Sequence, residues 1–559
     1  MIFFFSSLVK LVQNKYYYCE CISSCGYQSL TFVDLRSPFV TISAFFTVHP
    51  RPPPCPNFNM NGHADVRSEH RFDIIIIGAG ISGINTAYRV QEQLPGFSYA
   101  ILEARHDLGG TWDLFKYPGI RSDSDLFTFG FEFNPWRQTN PIAEGPEIKS
   151  YIANTARKFG IDQHILYKHK VTAANWSSEE HVWNLSVDAD GKTKEYTARF
   201  VVFGTGYFNY DQPLEAQIPG IKNFKGQAIH PQFWPEDLDY TDKKIVVIGS
   251  GATAITLIPN LAKRAARVTM LQRSPTYIMS LPNRSSTWLS YILPTATFHR
   301  VQRTIAIVIT RMFFLLCQKY PTFSKWLLKQ RVSRQLPKHI PYEPHFAPRY
   351  NPWDQRLCVC PDGDFFKCLR AGKADVRTDT IETVTENGIL LKSGETLDAE
   401  IIVTATGLKL QIAGGCQISV DGKKYDLGSK YMWNGVMLQD LPNASYIIGY
   451  ANASWTLGSD ATAQFVTRLL KTLEERKLIA ATPRLKPDEE KNLEERPLLN
   501  LSSTYISLAS RTLPRAGNKR PWQPRDHYHK DMKIALKGDL TEGMEFVAGP
   551  SLRLRPKMN

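Results

Sequence analysis

From Phe72 onward, short apolar runs alternate with longer stretches in which apolar residues return at helical spacing. Asp73 to Ile77 is almost wholly apolar, the pattern of a parallel strand covered on both faces. Ile84 to Leu94 then reads as a helix and Ser98 to Leu102 as the next strand. The same strand–glycine–helix–strand order returns from Lys244 to Leu271, about 170 residues further on. The pattern predicts an α/β protein with two Rossmann-like units. Asn283 to Tyr350 is basic, aromatic and mostly helical in texture, an insertion in the second unit. Residues 480–559, rich in Arg, Lys and Pro, read as a tail wrapping the domains.

The first 70 residues follow neither period. They read as a targeting segment, a disordered extension or upstream sequence, with Met60 as the expected biological start. The expected domains are therefore 71–235, 236–395 with a helical insertion at about 283–350, and 396–559.

Composition is that of an ordinary globular protein, 43% hydrophobic and 21% charged, and excludes collagen-like or disordered classes. The net charge of +14 suits an anionic dinucleotide or an acidic membrane surface. No nucleic-acid-binding signature accompanies it. Nine cysteines lack disulfide or zinc spacing, which favours a reducing, cytoplasmic setting and no metal. On a strand, neighbours point to opposite faces, so Cys358 and Cys360 are read as packing. The apolar run Thr304 to Cys317 is interrupted by Arg311 and falls short of the ~20 residues a spanning helix needs. That leaves room for peripheral attachment and argues against a span.

Gly78-Ala-Gly80-Ile-Ser-Gly83 follows a strand and opens a helix. Gly78 permits the tight turn, Gly80 the close approach of a pyrophosphate, and Gly83 the packing of helix on strand. Glu103 closes the next strand, where a carboxylate accepts hydrogen bonds from ribose hydroxyls. Gly249-Ser-Gly251-Ala252-Thr253-Ala254 repeats the loop, but its next strand ends in Arg273-Ser274. A guanidinium pairs with a 2′-phosphate that a carboxylate would repel. The contrast assigns FAD to the first loop and NADPH to the second, with hydride passing from nicotinamide to flavin.

Phe224-Lys-Gly226-Gln-Ala-Ile-His230-Pro-Gln-Phe-Trp234-Pro235 resembles the Baeyer–Villiger monooxygenase fingerprint at every defined position. Gly109-Gly110-Thr111-Trp112 through Tyr117-Pro118-Gly119 to Asp123 is similar to the second signature of those enzymes. Pro135-Trp136, Leu271 to Tyr277, Tyr350 to Leu357 and Asn452 to Thr456 look like their ethionamide-activating subgroup. Val202 to Tyr207 and Val403 to Gly407 are similar to the small-residue crossings between dinucleotide domains.

The resemblance implies an enzyme that uses FAD, NADPH and O2 to insert oxygen beside a ketone carbonyl, with sulfur oxidation as a side activity. It points to Arg356 as the fixed cation that steadies negative charge in the reaction, and to Asp123 as the acid beside the flavin that orients it. His230 and Trp234 are expected in a hinge that keeps the NADPH domain in register, with no proton transfer assigned to His230. Gly110, Thr111 and Trp112 are expected along the flavin. Three alternatives remain: a flavin monooxygenase acting mainly on sulfur or nitrogen, a flavin disulfide reductase, and a non-catalytic nucleotide-binding redox protein. The reductase needs a redox cysteine pair near one of the loop helices, and neither carries one.

Overall fold

The computed structural model describes the strands Glu20–Ile22, Gln28–Phe32 and Ile42–Phe45, and residues 70–549 apart from 286–287, 500–502 and 526. The three short strands form an antiparallel sheet within the unit Met1–His63. The remaining described residues belong to a second unit, Ala64–Asn559. Apart from those three strands the lead segment, Met60 included, falls outside the described residues, and with it the reading of Met60 as a start.

The strand Arg71–Ile77 is apolar because it is enclosed. Parallel neighbours, Tyr99–Leu102 and Lys192–Phe203, flank it, and Asp73 to Ile77 are buried. The helix begins at Ile81, directly after Gly80, three residues before its apolar period becomes visible in the sequence. The full sheet runs in the order Lys423–Lys424, Gln417–Val420, His169–Ser177, Val182–Ala189, Lys192–Phe203, Arg71–Ile77, Tyr99–Leu102, Ile165–Leu166, with Ala444–Tyr446 also on Lys192–Phe203. Strands from both ends of the chain thus share one sheet.

A five-stranded, all-parallel sheet forms the second layer, in the order Gln227–Ile229, Ile401–Thr404, Lys244–Ile248, Arg267–Gln272, Ala374–Thr378. This corrects both expected boundaries. Gln227–Ile229 precedes 236 and Ile401–Thr404 follows 395, yet both are hydrogen-bonded into the second sheet. Spacing along the chain cannot reveal a central strand that arrives last, because parallel neighbours need not be close in sequence.

The discontinuous first domain is locked by a buried ion pair. Arg89, on the helix Ile81–Gln93, is 3% exposed and donates at 2.8 Å to Asp460, on the helix Trp455–Glu475. Removing Arg89 would leave the buried Asp460 carboxylate without its cation, at a cost of about 3–5 kcal/mol, whereas Arg89 itself also pairs with Glu92 and Glu132. The C-terminal stretch wraps this domain as the sequence suggests. Leu478–Pro483 pairs antiparallel with Met544–Ala548, Tyr528–Lys537 packs on Trp455–Glu475, and Trp522 is buried in the same core.

The insertion is largely two helices, Thr295–Lys319 and Pro321–Ser333. The first has 25 residues, longer than its uninterrupted apolar run, so by length and composition alone it is sufficient to cross a membrane. The expectation that this segment is too short is therefore corrected. Cys358 and Cys360 lie on the strand Cys358–Pro361 and are both buried, with Val359 more open between them. Residues two apart share a strand face, so the expected separation of the two thiols is also corrected. Both cysteines are free.

Candidate active site

Each glycine loop sits directly over one chain crossing. Gly78 has φ of +102°, a left-handed conformation that disfavours any side chain, and an added Cβ there would lie 2.8 Å from the Gly204 carbonyl oxygen. Gly249, at φ +131°, would meet the Ala405 carbonyl oxygen in the same way. The small residues of the two crossings are required because backbone packs on backbone at these points. Glu103 is buried, and its Oε2 accepts from the Ala79 N–H at 2.7 Å while Oε1 accepts from Arg105. Burial pushes its carboxyl above the usual range, against the pull of those two N–H groups.

Both loop helices suit phosphate groups. Neither Ile81–Gln93 nor Ala252–Leu261 has a side-chain cap at its start, so first-turn N–H groups face the loop mouth. A Cβ on Gly251 would have nothing within 4 Å, and one on Gly80 would have only the Gly110 backbone, at 3.7 Å and beyond. These open cradles fit two dinucleotides. Ala252 and Thr253 begin the second helix at the edge of its cradle. Arg273 is exposed and makes no ion pair among the described residues. Ser274 stands beside it and accepts from Ser250 Oγ at 2.9 Å.

The stretch from Gly110 to Asp123 is a strap between the loops. Gly110 faces Gly80 and the Tyr210 hydroxyl, and Thr111 lies close to that hydroxyl. Trp112 lies edge-on to Phe129, with ring centres 5.6 Å apart. At the far end Tyr117 lies beside Thr253 of the second loop, and Gly119 abuts Asn260 so closely that a Cβ would overlap its amide. Asp123 follows. Burial raises its carboxyl, while Arg356 and then Arg121 pull it back down. Arg356 is exposed, with Nη2 3.5 Å from Ser124 Oγ. Asp123 and Arg356, 233 positions apart in the chain, are thus brought together. Asp354, the other acid near Arg356 in sequence, accepts from the Asn351 N–H.

Sequence reasoning missed four members of this region. Tyr207 feels both Arg356 and Asp123, and burial raises its hydroxyl. It stacks on Trp455 at 5.0 Å, and Trp455 Nε1 donates to Ser82 Oγ in the first loop helix. Arg121 pairs with Asp364. Tyr207 and Trp455 lay inside quoted motifs but carried no chemistry that spacing could expose.

The fingerprint Phe224 to Pro235 is tied to the crossings through His230 and Gln232. His230 Nε2 lies 3.2 Å from the Gly407 carbonyl oxygen, and its Nδ1 accepts from the Gln232 N–H. Because Nδ1 accepts, the proton is on Nε2. Gln232 Nε2 in turn donates to Asn209 O and Tyr210 O, just past the first crossing. Phe224 is half-buried and Gly226 is pressed against the Glu400 carbonyl. Trp234 is buried with its ring edge-on to Tyr240, and Pro235 is exposed.

Burial lowers the His230 pKa, against a smaller upward pull from Gly407. The unfolded chain therefore binds that proton more readily, and the residue's share of stability is lost as pH falls below about 6.5. His230→Gln should accordingly flatten the decline of melting temperature on the acid side; an unchanged decline would remove this linkage.

The fold and its paired cradles define an enzyme that carries two dinucleotides. Residues 135–476 match the flavin-binding monooxygenase-like family, and residues 76–139 match an NAD(P)-binding Rossmann-like domain. The chain is 47% identical over 470 residues to the FAD-containing monooxygenase EthA of Mycolicibacterium smegmatis, covering 84% of this chain and 95% of the relative. It is 46% identical over 481 residues to the putative FAD-containing monooxygenase MymA of Mycobacterium tuberculosis, covering 85% and 97%. Its fold is similar to that of an oxidised steroid monooxygenase bound to NADP, at TM-score 0.68, 19% identity and coverage of 86% and 100%. An open cyclohexanone monooxygenase structure matches at 0.67 with the same identity and coverage. The chain belongs to the flavin-binding monooxygenase-like family and is a flavin-dependent monooxygenase.

Proposed function

We propose that this monooxygenase is of the Baeyer–Villiger type, consuming NADPH and O2 to convert a ketone to an ester or lactone. The carrying observation is the convergence of Arg356, Asp123 and Tyr207 beside the strap that joins the two cradles. In this reading FAD occupies the Gly78–Gly83 cradle and NADPH the Gly249–Ala254 cradle. The flavin, when bound and reduced, supplies the oxygen-activating chemistry.

The chain's own residues supply position and charge. Arg356 is a permanent cation at the substrate side, where negative charge builds as oxygen adds to the carbonyl. Asp123 orients that guanidinium electrostatically and transfers no proton. Tyr117 and Gly119 hold the second loop against the strap, and His230 and Gln232 tie the fingerprint to both crossings, so that the NADPH unit keeps its register. A sulfur or nitrogen substrate would itself attack oxygen and needs no such cation, which favours the ketone reading. Product identification from paired ketone and sulfide substrates, with NADPH and oxygen, tests it: esters support the proposal, and sulfoxide without any ester overturns it.

Coenzyme choice gives a separate test. Arg273 is exposed at the rim of the second cradle and free to pair with a 2′-phosphate. Charge-assisted hydrogen bonds contribute about 1.5–3 kcal/mol. Arg273→Ala should therefore raise KM for NADPH on the order of 10- to 100-fold and leave KM for NADH nearly unchanged. Equal losses would refute the phosphate-reading role.

A further inference from the structure

Exposed large apolar side chains are concentrated at one place on the described surface. Nine of the twelve such residues fall between Tyr291 and Trp326. On the helix Thr295–Lys319, Ile305, Val308, Met312 and Leu315 recur every three or four positions and so occupy one face; Met312 is 62% exposed. Phe323 and Trp326 extend the patch onto the next helix, their rings stacked at 5.8 Å and each at least half exposed. Only 6% of the most apolar window of the long helix is buried. A monomeric soluble protein rarely leaves so contiguous an apolar face in water.

The opposite side of that helix is committed to the body of the enzyme. Arg303 Nη1 donates to the carbonyls of Phe127, Thr128 and Gly130 at 2.9, 3.2 and 2.7 Å. Phe314 and Gln318 line a small, partly open pocket together with Trp353, Asn452 and Arg525. The helix therefore lies along the surface with one face anchored, an arrangement that a spanning helix would not allow.

Charge identifies what the free face meets. From Lys243 through Tyr342 the chain contains no Asp or Glu, while Arg300, Lys319, Arg331 and Arg334 are exposed around the patch. An apolar stripe rimmed by cations, with an aromatic ring at its edge, is the chemistry of an anionic lipid interface. A second copy of the chain would bring two positively charged faces together. We propose that the insertion, Tyr291 to Arg334, docks the enzyme monotopically on an anionic lipid surface.

Vesicle flotation of the holoenzyme tests this, comparing phosphatidylcholine alone with a mixture containing roughly one-third phosphatidylglycerol, at low and high salt. The enzyme should float with the anionic vesicles and do so less at high salt. Ile305→Asp combined with Met312→Asp should weaken binding on the order of tenfold while flavin content and NADPH oxidation are kept. If that variant loses flavin, Arg331→Glu with Arg334→Glu, at exposed positions, reads out the same surface and should likewise weaken binding. Failure of the unmodified enzyme to float with anionic vesicles overturns the proposal, as does equal flotation of both variants. Conversion of an oligomer to a monomer by the Asp substitutions, without vesicle binding by the parent, would assign the face to a second copy.

Discussion

Arg356→Ala should leave reduction of the bound flavin by NADPH nearly intact while lowering ester formation about 10²–10³-fold. The separation follows from position. Arg356 lies beside Ser124 and Asp123 at the end of the strap, whereas NADPH is assigned to the Gly249 cradle, where Thr253 and Arg273 are found. Hydride transfer involves the nicotinamide and the flavin and does not call on Arg356. Carbonyl attack develops negative charge that a guanidinium stabilises and a methyl group cannot. Arg356→Lys keeps the charge but loses the planar fork, so it should recover only part of the rate. Rapid-mixing measurement of flavin bleaching, alongside quantification of ester, checks both halves. Persistence of ester formation in the Ala variant would remove Arg356 from the chemistry, and collapse of flavin reduction would make its role structural.

Gly83→Ala should yield protein without bound flavin. An added Cβ would overlap the Gly78 carbonyl oxygen and lie 3.5 Å from Ile76 Cγ2. The first is backbone in the very turn that opens the cradle, so relief requires the helix to move away from the strand. Overpacking of this kind costs about 1–3 kcal/mol even when side chains can adjust, and here the obstruction is main chain. The second loop carries Ala254 at the same motif position, fully buried, so alanine is not excluded by the motif itself. The prediction rests on the local fit of the first loop. Visible flavin absorbance relative to protein, after reconstitution with excess FAD, measures the outcome. Full flavin occupancy would mean that the loop tolerates the methyl group and that its close packing is not required for binding.

Much of the site was legible because its residues carry chemistry in fixed local spacing. The two glycine loops, Glu103 at the end of one second strand and Arg273 at the end of the other are short-range patterns, and each lies where the spacing predicted. The fingerprint was also legible, but as a resemblance; only its contacts explain it. His230 and Gln232 bond to backbone carbonyls from both crossings, which accounts for a histidine that performs no acid–base step in the proposed mechanism. Tyr207 and Trp455 were overlooked because nothing in their spacing separates a ring stacked at the mouth of the first loop from a ring in the core.

Domain boundaries were misplaced for a related reason. Ile401–Thr404 is central in the second sheet although it follows most of that domain in sequence, and Gln227–Ile229 forms an edge although it precedes it. Hydrogen bonding between parallel strands leaves no signature in the order of residues.

The sequence by itself determined the α/β class, two glycine-opened loops whose following strands lead into Glu103 and into Arg273, and the family, since each depends on interactions within about twenty residues of chain. Only the tertiary structure decided that Arg356 lies against Ser124 within the electrostatic reach of Asp123, that Tyr117 lies beside Thr253 and that the long insertion helix leaves an apolar face uncovered. Those outcomes depend on which distant segments pack together, and packing is selected by the whole fold rather than by any local period.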